Sequence, residues 1–449
     1  MSIINIINEN IVLTLSDIAL GQSIKKHLDF LQKSQWWSKS DLKEYQNEKL
    51  IALIKHAYEN VPYYNELFRK LKLHPNDIGN TDDLKKLPIL TKEDIRDNFK
   101  NGKIIAQNIP KKELILSGSS GSTGEPLQYY ITRNAHSFSI ACGIRGWYWM
   151  GYRLGDKYVK ISQYDRSLFK KVQDILNRSK YLPAKELSEK YFDDIVRTIN
   201  SFRPKIIRGY PDQMHFLAKY IQNNQICISS PVAITTTGNV LHKRARDIIE
   251  EQIGAPVFDS YSCEGSANVS ECPMHSCYHS SIEYAITEII SNDTEVEKGE
   301  RGHFITTDLQ NYAIPFIRYD TQDCLVKSKE QCSCGRNLLA IDKIEGRDSD
   351  ILITPSGKFL ITVQFDGYFQ HEESVKQFQI IQERIDSIII KLVVNKRLNS
   401  KEKEKFYNYW KDYIGADVSV EIHIVNDIPL TISGKRRYLI RNKDIKIEM

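Results

Sequence analysis

A run of eight small residues constrains this chain more than any other feature. Residues 117–124 are all glycine, serine or threonine, and they lie between two apolar segments, 114–116 and 127–131, that are typical of strands. Such a loop leaves backbone N–H groups and hydroxyls unobstructed, as polyphosphate binding requires. No Gly-Lys-Ser/Thr follows, so it is not a Walker A loop. A flexible surface loop is the alternative, but Pro126 and the flanking strands favour a tight, fixed loop.

Short apolar strands alternate with amphipathic helices from about residue 110 to residue 345. The strand candidates are 114–116, 158–161, 205–207 and 232–234, and the helix candidates are 186–201, 211–223 and 241–253. Alternation of this kind predicts an α/β sheet covered by helices. Apolar residues at helical spacing come before it, so a helical segment of about residues 1–100 is expected. We therefore predict a large multi-layer α/β domain over residues 1–345.

The last hundred residues carry a different pattern. An apolar strand at 388–394 is followed by a charged helix at 400–413 and by a strictly alternating strand at 418–424. A strand–helix–strand unit with its own core predicts a small α+β domain over residues 346–449, with a hinge near residues 346–348. A chain of 449 residues is long enough for about two or three domains.

Composition excludes several classes of function. The net charge is only +5, which gives no reason to expect binding to nucleic acid or to an anionic membrane. The N-terminus lacks a cationic segment followed by a clean apolar run, so no signal peptide is predicted. No membrane helix is predicted, because we expect no apolar stretch to approach the roughly 20 residues that such a helix needs. The expectation is a soluble cytoplasmic protein without a membrane span.

Eight cysteines are too few for a disulfide scaffold, and six of them lie within residues 263–334. Cys332 and Cys334 form a tight knuckle, and Cys272 and His279 lie about sixty residues upstream. Three thiolates and one imidazole would complete a tetrahedral Zn²⁺ site with no open position, which predicts a structural role. The competing donors are His275 and Cys277. Buried free thiols are the alternative, whereas a catalytic cysteine is disfavoured because no paired base is evident.

Residues 119–126 resemble the phosphate loop of the adenylate-forming enzymes, the acyl-CoA synthetase superfamily. Within that superfamily the chain is similar, over nearly its whole length, to the phenylacetate–CoA ligase branch and its capsule-biosynthesis relatives. Segments 56–58, 61–64 and 87–92 are typical of this branch. The resemblance implies that the ATP phosphates bind to Ser119, Ser120, Gly121, Ser122, Thr123 and Gly124, with Thr123 also taking part in catalysis.

Two further segments carry the resemblance to the nucleotide site. In residues 259–265 the family places an aromatic residue near adenine and a glutamate on Mg²⁺, which implies these roles for Tyr261 and Glu264. The spacing between these two residues is one residue shorter than usual. Residues 235–239 match a turn that contacts the nucleotide, so Gly238 would contribute backbone groups. Asn239 stands where the family has an acidic residue.

Three later motifs complete the pattern. Residues 317–323 resemble an Arg-Tyr-x-Thr-Gly-Asp motif, which implies that Asp323 accepts hydrogen bonds from both ribose hydroxyls; Gln322 replaces the usual glycine. Residues 346–350 resemble the hinge motif, in which Arg347 would contact the ribose or phosphate. Residues 429–435 resemble the C-terminal lysine motif. Lys435, delivered by a mobile lid, would bridge the α-phosphate and the carboxylate in the transition state.

Two features around residue 140 each have two interpretations. His136 follows the loop on a helical segment, where a packed or surface histidine is commoner than a ligand. The aromatic residues at 147, 148, 149 and 152 are more typical of core than of an acyl pocket.

The function expected from these motifs is Mg²⁺- and ATP-dependent carboxylate adenylation, followed by acyl transfer. The expected acyl acceptor is coenzyme A, which would act as a co-substrate. The expected cofactors are ATP, Mg²⁺ and a structural Zn²⁺. One alternative is transfer to an amine or amino sugar in surface polysaccharide biosynthesis. Another is a zinc-containing binding module that has lost catalysis. No local spacing identifies the carboxylate.

Overall fold

The computed structural model divides the chain into two compact units, with the boundary between Glu345 and Gly346. We call the described residues up to Glu345 the first unit and the described residues from Gly346 onward the second unit. The described residues are 2–118, 127–162, 168–183, 189–241, 243–263, 266–347, 351–356, 359–361, 365, 368–369, 372, 374–395, 398–429, 437–442 and 444–445.

The first unit begins with helices, as the apolar spacing predicts. They are α1 (Ile3–Ile7), α2 (Leu13–Leu20), α3 (Ile24–Ser34), α4 (Lys39–Asn60), α5 (Pro62–Leu71) and α6 (Lys92–Lys100). Pro62 occupies the first turn of α5, where a missing N–H costs nothing. Thr91 caps α6, because its side chain accepts a hydrogen bond from the backbone N–H of Asp94.

A π-helical turn, Asn8–Val12, joins α1 and α2 into one continuous helix, Ile3–Leu20. By length and composition this helix could cross a membrane, and only 11% of it is buried. The expectation of no such apolar stretch is therefore corrected. Its polar residues do not interrupt the helix, because Asn8 and Asn10 donate to carbonyls one turn earlier. A signal sequence passes the same test, so the helix alone assigns no location.

The central part of the first unit is a parallel sheet covered by helices. A hairpin of β1 (Leu114–Gly118) and β2 (Gln128–Thr132) precedes α7 (Arg133–Trp149). The parallel strands follow in the spatial order β4 (Ser179–Pro183), β3 (Tyr158–Ser162), β5 (Ile206–Gly209), β6 (Ala233–Thr237) and β7 (Val257–Cys263). The helices between them are α8 (Leu168–Leu176), α9 (Glu189–Phe202), α10 (Pro211–Asn223) and α11 (Lys243–Ile253).

Beyond β7 the alternation stops, which corrects the expectation that it continues to residue 345. The same sheet is extended by β8 (Ala267–Glu271), β9 (Tyr278–Ser280), β10 (Ala285–Ser291), β11 (Thr294–Glu295), β12 (Arg301–Asp308), β13 (Tyr319–Lys327) and β14 (Ala340–Arg347). Within the described part of 257–347 no helix intervenes, and β7–β8, β8–β9 and β10–β12 are antiparallel. Short connections join antiparallel strands directly, whereas parallel strands need a crossover.

The second unit has its own sheet and core. Its strands are β15 (Ile351–Ile353), β16 (Phe359–Ile361), β17 (Val375–Arg384), β18 (Ser387–Val394), β19 (Ser419–Ile424) and β20 (Leu439–Arg441). β19, β18, β17 and β20 form one sheet in that order, and α12 (Ser400–Ile414) contributes Phe406, Trp410 and Ile414 to its core. The predicted strand, helix and strand at 388–424 are all present.

Candidate active site

Gly238 follows the central parallel strand β6, at the carboxyl edge where open α/β sheets bind ligands. Its φ of 91° lies in the left-handed region that favours glycine. The next residue is Asn239, and its side-chain Nδ2 donates a hydrogen bond to Asp212 Oδ2 at 2.7 Å. The turn therefore has a fixed amide side chain where the family has a carboxylate.

Tyr261 on β7 and Asp323 on β13 meet, although 62 residues separate them in sequence. The Tyr261 hydroxyl donates to Asp323 Oδ2 at 2.5 Å, and the Tyr261 ring centre lies 5.8 Å from that of Phe304. The backbone N–H of Asp323 donates to Thr321 Oγ1 at 3.1 Å. The residues expected to contact adenine and ribose are thus side by side, with Asp323 held from two directions.

Several predicted site residues lie outside the described part of the chain. They are Ser119, Ser120, Gly121, Ser122, Thr123, Gly124, Glu264, Lys435 and the side chain of Arg347. The described flanks of the loop 119–126 and of Glu264 are antiparallel hairpins: Gly118 pairs with Gln128 across β1 and β2, and Cys263 pairs with Ala267 across β7 and β8.

A cavity of about 290 Å³ lies between α7 and strands β7 and β8. Thr237 of β6 and Tyr261 of β7 line it, and so do Trp147 of α7 and Met150, which follows that helix. Of the four aromatic residues left open by the sequence, Trp147 borders the cavity. Tyr148 and Tyr152 are buried in a core cluster, and the Trp149 ring centre lies 5.7 Å from His279.

The predicted zinc ligands converge on one place together with a fifth donor. Cys272, Cys277, His279 and Cys332 present donor atoms that all lie within 4.8 Å of one another. Cys334 Sγ lies 3.2 Å from His279 Nε2, and Cys272 Sγ lies 3.2 Å from Cys332 Sγ. That sulfur separation is far longer than a disulfide bond of about 2.05 Å. The group offers one donor more than a tetrahedral metal site needs.

His275, the other competing donor, is engaged elsewhere. Its Nδ1 lies 3.1 Å from Glu271 Oε1, and its ring centre is 4.3 Å from that of Phe258. Of the two competing zinc donors, His275 and Cys277, only Cys277 belongs to the group of described residues that could hold a metal ion.

Two residues of the cluster have electrostatics that suit metal binding, whereas burial raises the pKa of Cys272 to about 12 and also raises that of Cys277. Burial, reinforced by the nearby Arg336 and Arg145, lowers the pKa of His279 to about 4, so its imidazole is neutral at pH 7. Burial opposes ionisation of Cys332, but hydrogen bonds from Ser276 and from the backbone of Cys334 lower its pKa to about 7. A neutral imidazole and a thiolate are the forms in which these residues bind metals.

Comparison with known proteins begins with the fold. A crystal structure of 2-hydroxyisobutyryl-CoA ligase in the postadenylation state aligns with a TM-score of 0.72 and 18% identity, covering 92% of this chain and 93% of that one. The phenylacetate–coenzyme A ligase of Pseudomonas putida is 30% identical over 330 residues, which are 70% of this chain and 72% of that protein. This chain belongs to the phenylacetate–CoA ligase family. It is an AMP-forming acid ligase.

The ligase also resembles a second kind of protein. The CapK C-terminal domain family matches residues 352–442. Protein CapK of Staphylococcus aureus is 27% identical over 421 residues, which cover 90% of both chains. The phenylacetate–coenzyme A ligase of Thermus thermophilus is 25% identical over 436 residues, covering 89% of this chain and 96% of that one.

Sequence reasoning missed a buried acidic network in this ligase, beside Tyr261. Glu271 Oε2 accepts hydrogen bonds from the backbone N–H of Asp259 at 2.7 Å and from Arg246 at 2.8 Å. Thr236 Oγ1 donates to Asp259 Oδ1 at 2.7 Å. Burial raises the pKa of Asp259 to about 7, with a further contribution from the negative charge of Glu271. Burial also opposes ionisation of Glu271, but His275 and Arg246 hold its pKa below the usual value. The sequence signal that could have indicated this network is an aspartate, Asp259, in the otherwise uncharged strand Val257–Cys263.

Proposed function

We propose that this ligase activates a carboxylic acid as its acyl-adenylate and passes the acyl group to coenzyme A. In the first step a carboxylate oxygen attacks the α-phosphorus of ATP, and the bond to pyrophosphate breaks. In the second step the thiol sulfur attacks the acyl carbon, AMP leaves, and the thiol proton passes to solvent. The observation that carries the proposal is the Tyr261–Asp323 pair at the border of the 290 Å³ cavity.

The pair supports a nucleoside site because it fixes the orientation of a buried carboxylate, the kind of group that can accept hydrogen bonds from a vicinal diol. A carboxylate offers about four lone-pair sites on two oxygens. The Tyr261 hydroxyl uses one on Asp323 Oδ2, which fixes the orientation of the carboxylate. A ribose diol can donate to both oxygens of a group held in this way. The Tyr261 ring, which lines the cavity, would then lie between the nucleoside and the acyl group.

The remaining roles are assigned by resemblance. The ATP phosphates would bind to the loop from Ser119 to Gly124, with Gly238 offering backbone groups nearby and Arg347 contacting the ribose or phosphate. Glu264 would hold Mg²⁺, which supplies positive charge to the phosphates. Lys435 would stabilise charge on the α-phosphate and the carboxylate, and residues 346–449 would act as a mobile lid.

The test is carboxylate-dependent ATP–pyrophosphate exchange in full-length variants. Lys435→Ala is expected to reduce the exchange rate by about 100-fold or more, because a charge-stabilising group is lost. Lys405→Ala, whose side chain makes a surface ion pair with Glu372, is the matched control and should exchange normally. Asp323→Asn should raise the KM for ATP, whereas Asp342→Asn at an exposed position should not. Normal exchange in Lys435→Ala would contradict the assignment.

We also propose that the five-donor cluster binds one structural Zn²⁺. Zinc accepts four thiolate or imidazole ligands at about 2.0–2.3 Å, and such sites stabilise the local fold. Cys272, His279 and Cys332 would be three of the ligands, with Cys334 or Cys277 as the fourth. The eight cysteines are all free thiols, which suits a reducing compartment, and we infer a cytoplasmic location.

Metal analysis of purified variants distinguishes the fourth ligand. The native protein is expected to hold one zinc ion per chain, and chelation should lower its Tm. Of Cys277→Ser and Cys334→Ser, the variant that loses zinc identifies the ligand. Cys227→Ser, at an exposed position, is the control. A natively folded protein without zinc, purified in the absence of chelator, would disprove the metal site.

An amine or amino-sugar acceptor in surface polysaccharide biosynthesis is the second candidate. Two observations favour it: the match to CapK covers 90% of both chains, and the CapK C-terminal domain family matches residues 352–442. Pyrophosphate release with and without CoA separates the acceptors. Stimulation by CoA, with formation of the thioester, supports coenzyme A. Release that is indifferent to CoA supports an amine.

A further inference from the structure

The N-terminal helix, Ile3–Leu20, turns polar side chains inward and apolar side chains outward. Its two buried residues are Asn5 and Asp17. Its apolar residues at 4, 7, 11, 15 and 18 are instead between 43% and 74% exposed. An amphipathic helix of a globular protein normally turns its apolar side to the core. The reversed orientation indicates that the outer side of this helix is an interaction surface.

Hydrogen bonds on the polar side hold the helix against the first unit. Asn5 Nδ2 donates to the carbonyl oxygen of Leu154 and to Asp156 Oδ1, both at 3.0 Å. Asp17 Oδ2 accepts a hydrogen bond from the backbone N–H of Lys25 at 2.8 Å. Because these bonds use the polar side of the helix, its apolar side faces away from the first unit.

The exposed apolar residues have a symmetric spacing, and we call Ile4, Ile7, Ile11, Leu15 and Ile18 the outer stripe. From Ile4 to Ile18 the steps are three, four, four and three residues, so Ile11 stands at the centre. Two antiparallel copies related by a two-fold axis at Ile11 would therefore match. Ile4 would face Ile18 of the second copy. Ile7 would face Leu15, and Ile11 would face its own equivalent. A two-fold interface requires this kind of self-complementarity.

The polar side chains beside the outer stripe can be buried at low cost, because their donors already have partners. Asn8 Nδ2 donates to the carbonyl oxygen of Ile4 at 2.9 Å, and Asn10 Nδ2 donates to that of Ile6 at 3.1 Å. Thr14 Oγ1 donates to the carbonyl oxygen of Asn10 at 2.9 Å. A buried polar group is costly when it lacks a hydrogen bond, and these donors do not.

The composition of the helix favours a second protein copy over a lipid surface. Interfacial membrane helices are rich in Lys and Arg on the polar face and carry Trp, Phe or Leu on the other. Residues 3–20 contain no Lys, Arg, Trp, Tyr or Phe, and their two charged residues are Glu9 and Asp17. These negative charges would gain nothing from an anionic leaflet. Isoleucine and leucine are, by contrast, the usual seam residues of paired helices.

The apolar area fits a weak but specific dimer. With the exposed Ile3 and Ile6 at its edge, the outer stripe offers on the order of 400 Å² of apolar surface. Two copies would bury about twice that area, and the polar side chains beside the stripe would bring the total to the roughly 1,000 Å² of a small specific interface. An interface of this size predicts a Kd on the order of micromolar.

We propose that the outer side of the helix Ile3–Leu20 is a dimerisation surface, which binds the same helix of a second copy of this chain in an antiparallel arrangement about Ile11. The inference goes beyond the proposed acyl transfer and does not rest on it, because no residue assigned to the nucleotide, acyl or metal sites belongs to this helix.

Sedimentation velocity of the full-length chain, over concentrations around the micromolar range, measures the association. The native chain should pass from monomer to dimer as its concentration rises. Ile11→Asp places two carboxylates at the axis and should weaken dimerisation by about 100-fold or more, because like charges in contact cost several kcal/mol. Ile51→Asp, at an exposed position of α4, is the matched control and should dimerise normally. A native chain that stays monomeric, or equal dimerisation in Ile11→Asp, would overturn the proposal.

Cross-linking with a short bifunctional maleimide tests the antiparallel arrangement. The experiment uses a Cys227→Ser background, which removes the exposed native thiol. Ile11→Cys should be linked to its own copy across the axis. Ile4→Cys alone should not be linked, whereas a mixture of Ile4→Cys and Ile18→Cys should be. Efficient linking of Ile4→Cys to itself would contradict the two-fold axis at Ile11.

Co-sedimentation with phosphatidylcholine vesicles distinguishes the lipid surface from the second copy. The native dimer should remain in the supernatant. A monomeric chain that sediments with the vesicles, and that no longer does so as Ile11→Asp, would overturn the proposal and identify a lipid surface as the occupant of the outer stripe.

Discussion

Helix α7 meets two buried polar environments, and they differ in how far their polar groups are paired. Arg145 donates to Glu283 Oε1 at 2.7 Å and to Ser281 Oγ at 2.9 Å, and Ser34 adds a bond to the same carboxylate. His136, nine residues earlier on the same helix, has an Nδ1 atom without a hydrogen-bond partner among the described residues, and its side chain lines the 290 Å³ cavity. Where charges are compensated and space is filled, a substitution should affect folding. Where a side chain borders a cavity, a substitution should affect folding less.

The largest effect is expected at the paired site. Glu283→Ala leaves the Arg145 guanidinium buried without its counter-charge, because Arg145 is only 1% exposed and Glu283 is fully buried. Breaking a buried ion pair from one side costs about 3–5 kcal/mol of unfolding free energy. Denaturant unfolding monitored by tryptophan fluorescence measures this loss.

Glu66→Ala is the matched control, since Glu66 pairs with Lys103 at the surface. Exposed pairs contribute about 1 kcal/mol or less. Equal losses in the two variants would show that the pairing around Arg145 does not hold α7 in place, and the contrast between its two environments would disappear.

The second effect depends on pH and concerns Asp259, on the cavity wall opposite α7. Its pKa is raised from 3.8 to about 7 in the folded protein, chiefly by burial. The unfolded chain therefore loses this proton first, and stability from this group falls as the pH rises from about 4 to 7. Asp259→Asn keeps the acceptor for Thr236 and removes the titration. The variant should gain stability over the native protein progressively across that interval.

Urea unfolding at pH 4.5, 6 and 8 follows this gain, which we expect to be on the order of a few kcal/mol at pH 8. Asp247→Asn, which replaces the partner of Lys243 in an exposed ion pair, should follow the native pH profile. A constant difference between Asp259→Asn and the native protein at all three pH values would mean that Asp259 is ionised throughout.

The contrast also separates what sequence could predict from what it could not. Local patterns located most strands and helices of the parallel half, because each has its own periodicity or cap. The motif residues Tyr261 and Asp323 were expected individually, but their hydrogen bond joins residues 62 positions apart and no local spacing encodes it. The Arg145–Glu283 pair, 138 positions apart, was missed for the same reason. The antiparallel half was missed because its short strands were extrapolated as alternating with helices.

The sequence could not predict the cavity either, because a cavity depends on how distant segments pack around unfilled space. A glycine in the sequence segment 141–146 lowers helix propensity, but only the neighbours reveal whether it serves close packing or open space. Gly146 serves packing against Ser270, and Gly143 borders space. The third pair of variants tests that distinction directly. Gly146→Ala must displace Ser270 and should cost about 1–3 kcal/mol of unfolding free energy.

Gly143→Ala should have the smallest effect on stability and the opposite sign. The new methyl group meets no described atom within 4 Å, so the helix gains the propensity difference of roughly 1 kcal/mol without a clash. Thermal and denaturant unfolding of the two alanine variants, measured side by side, provide the comparison. Loss of stability in both would mean that α7 packs as tightly at Gly143 as at Gly146. A gain at Gly143 would mean that the chain keeps a glycine at the cavity wall even though alanine there would stabilise the helix.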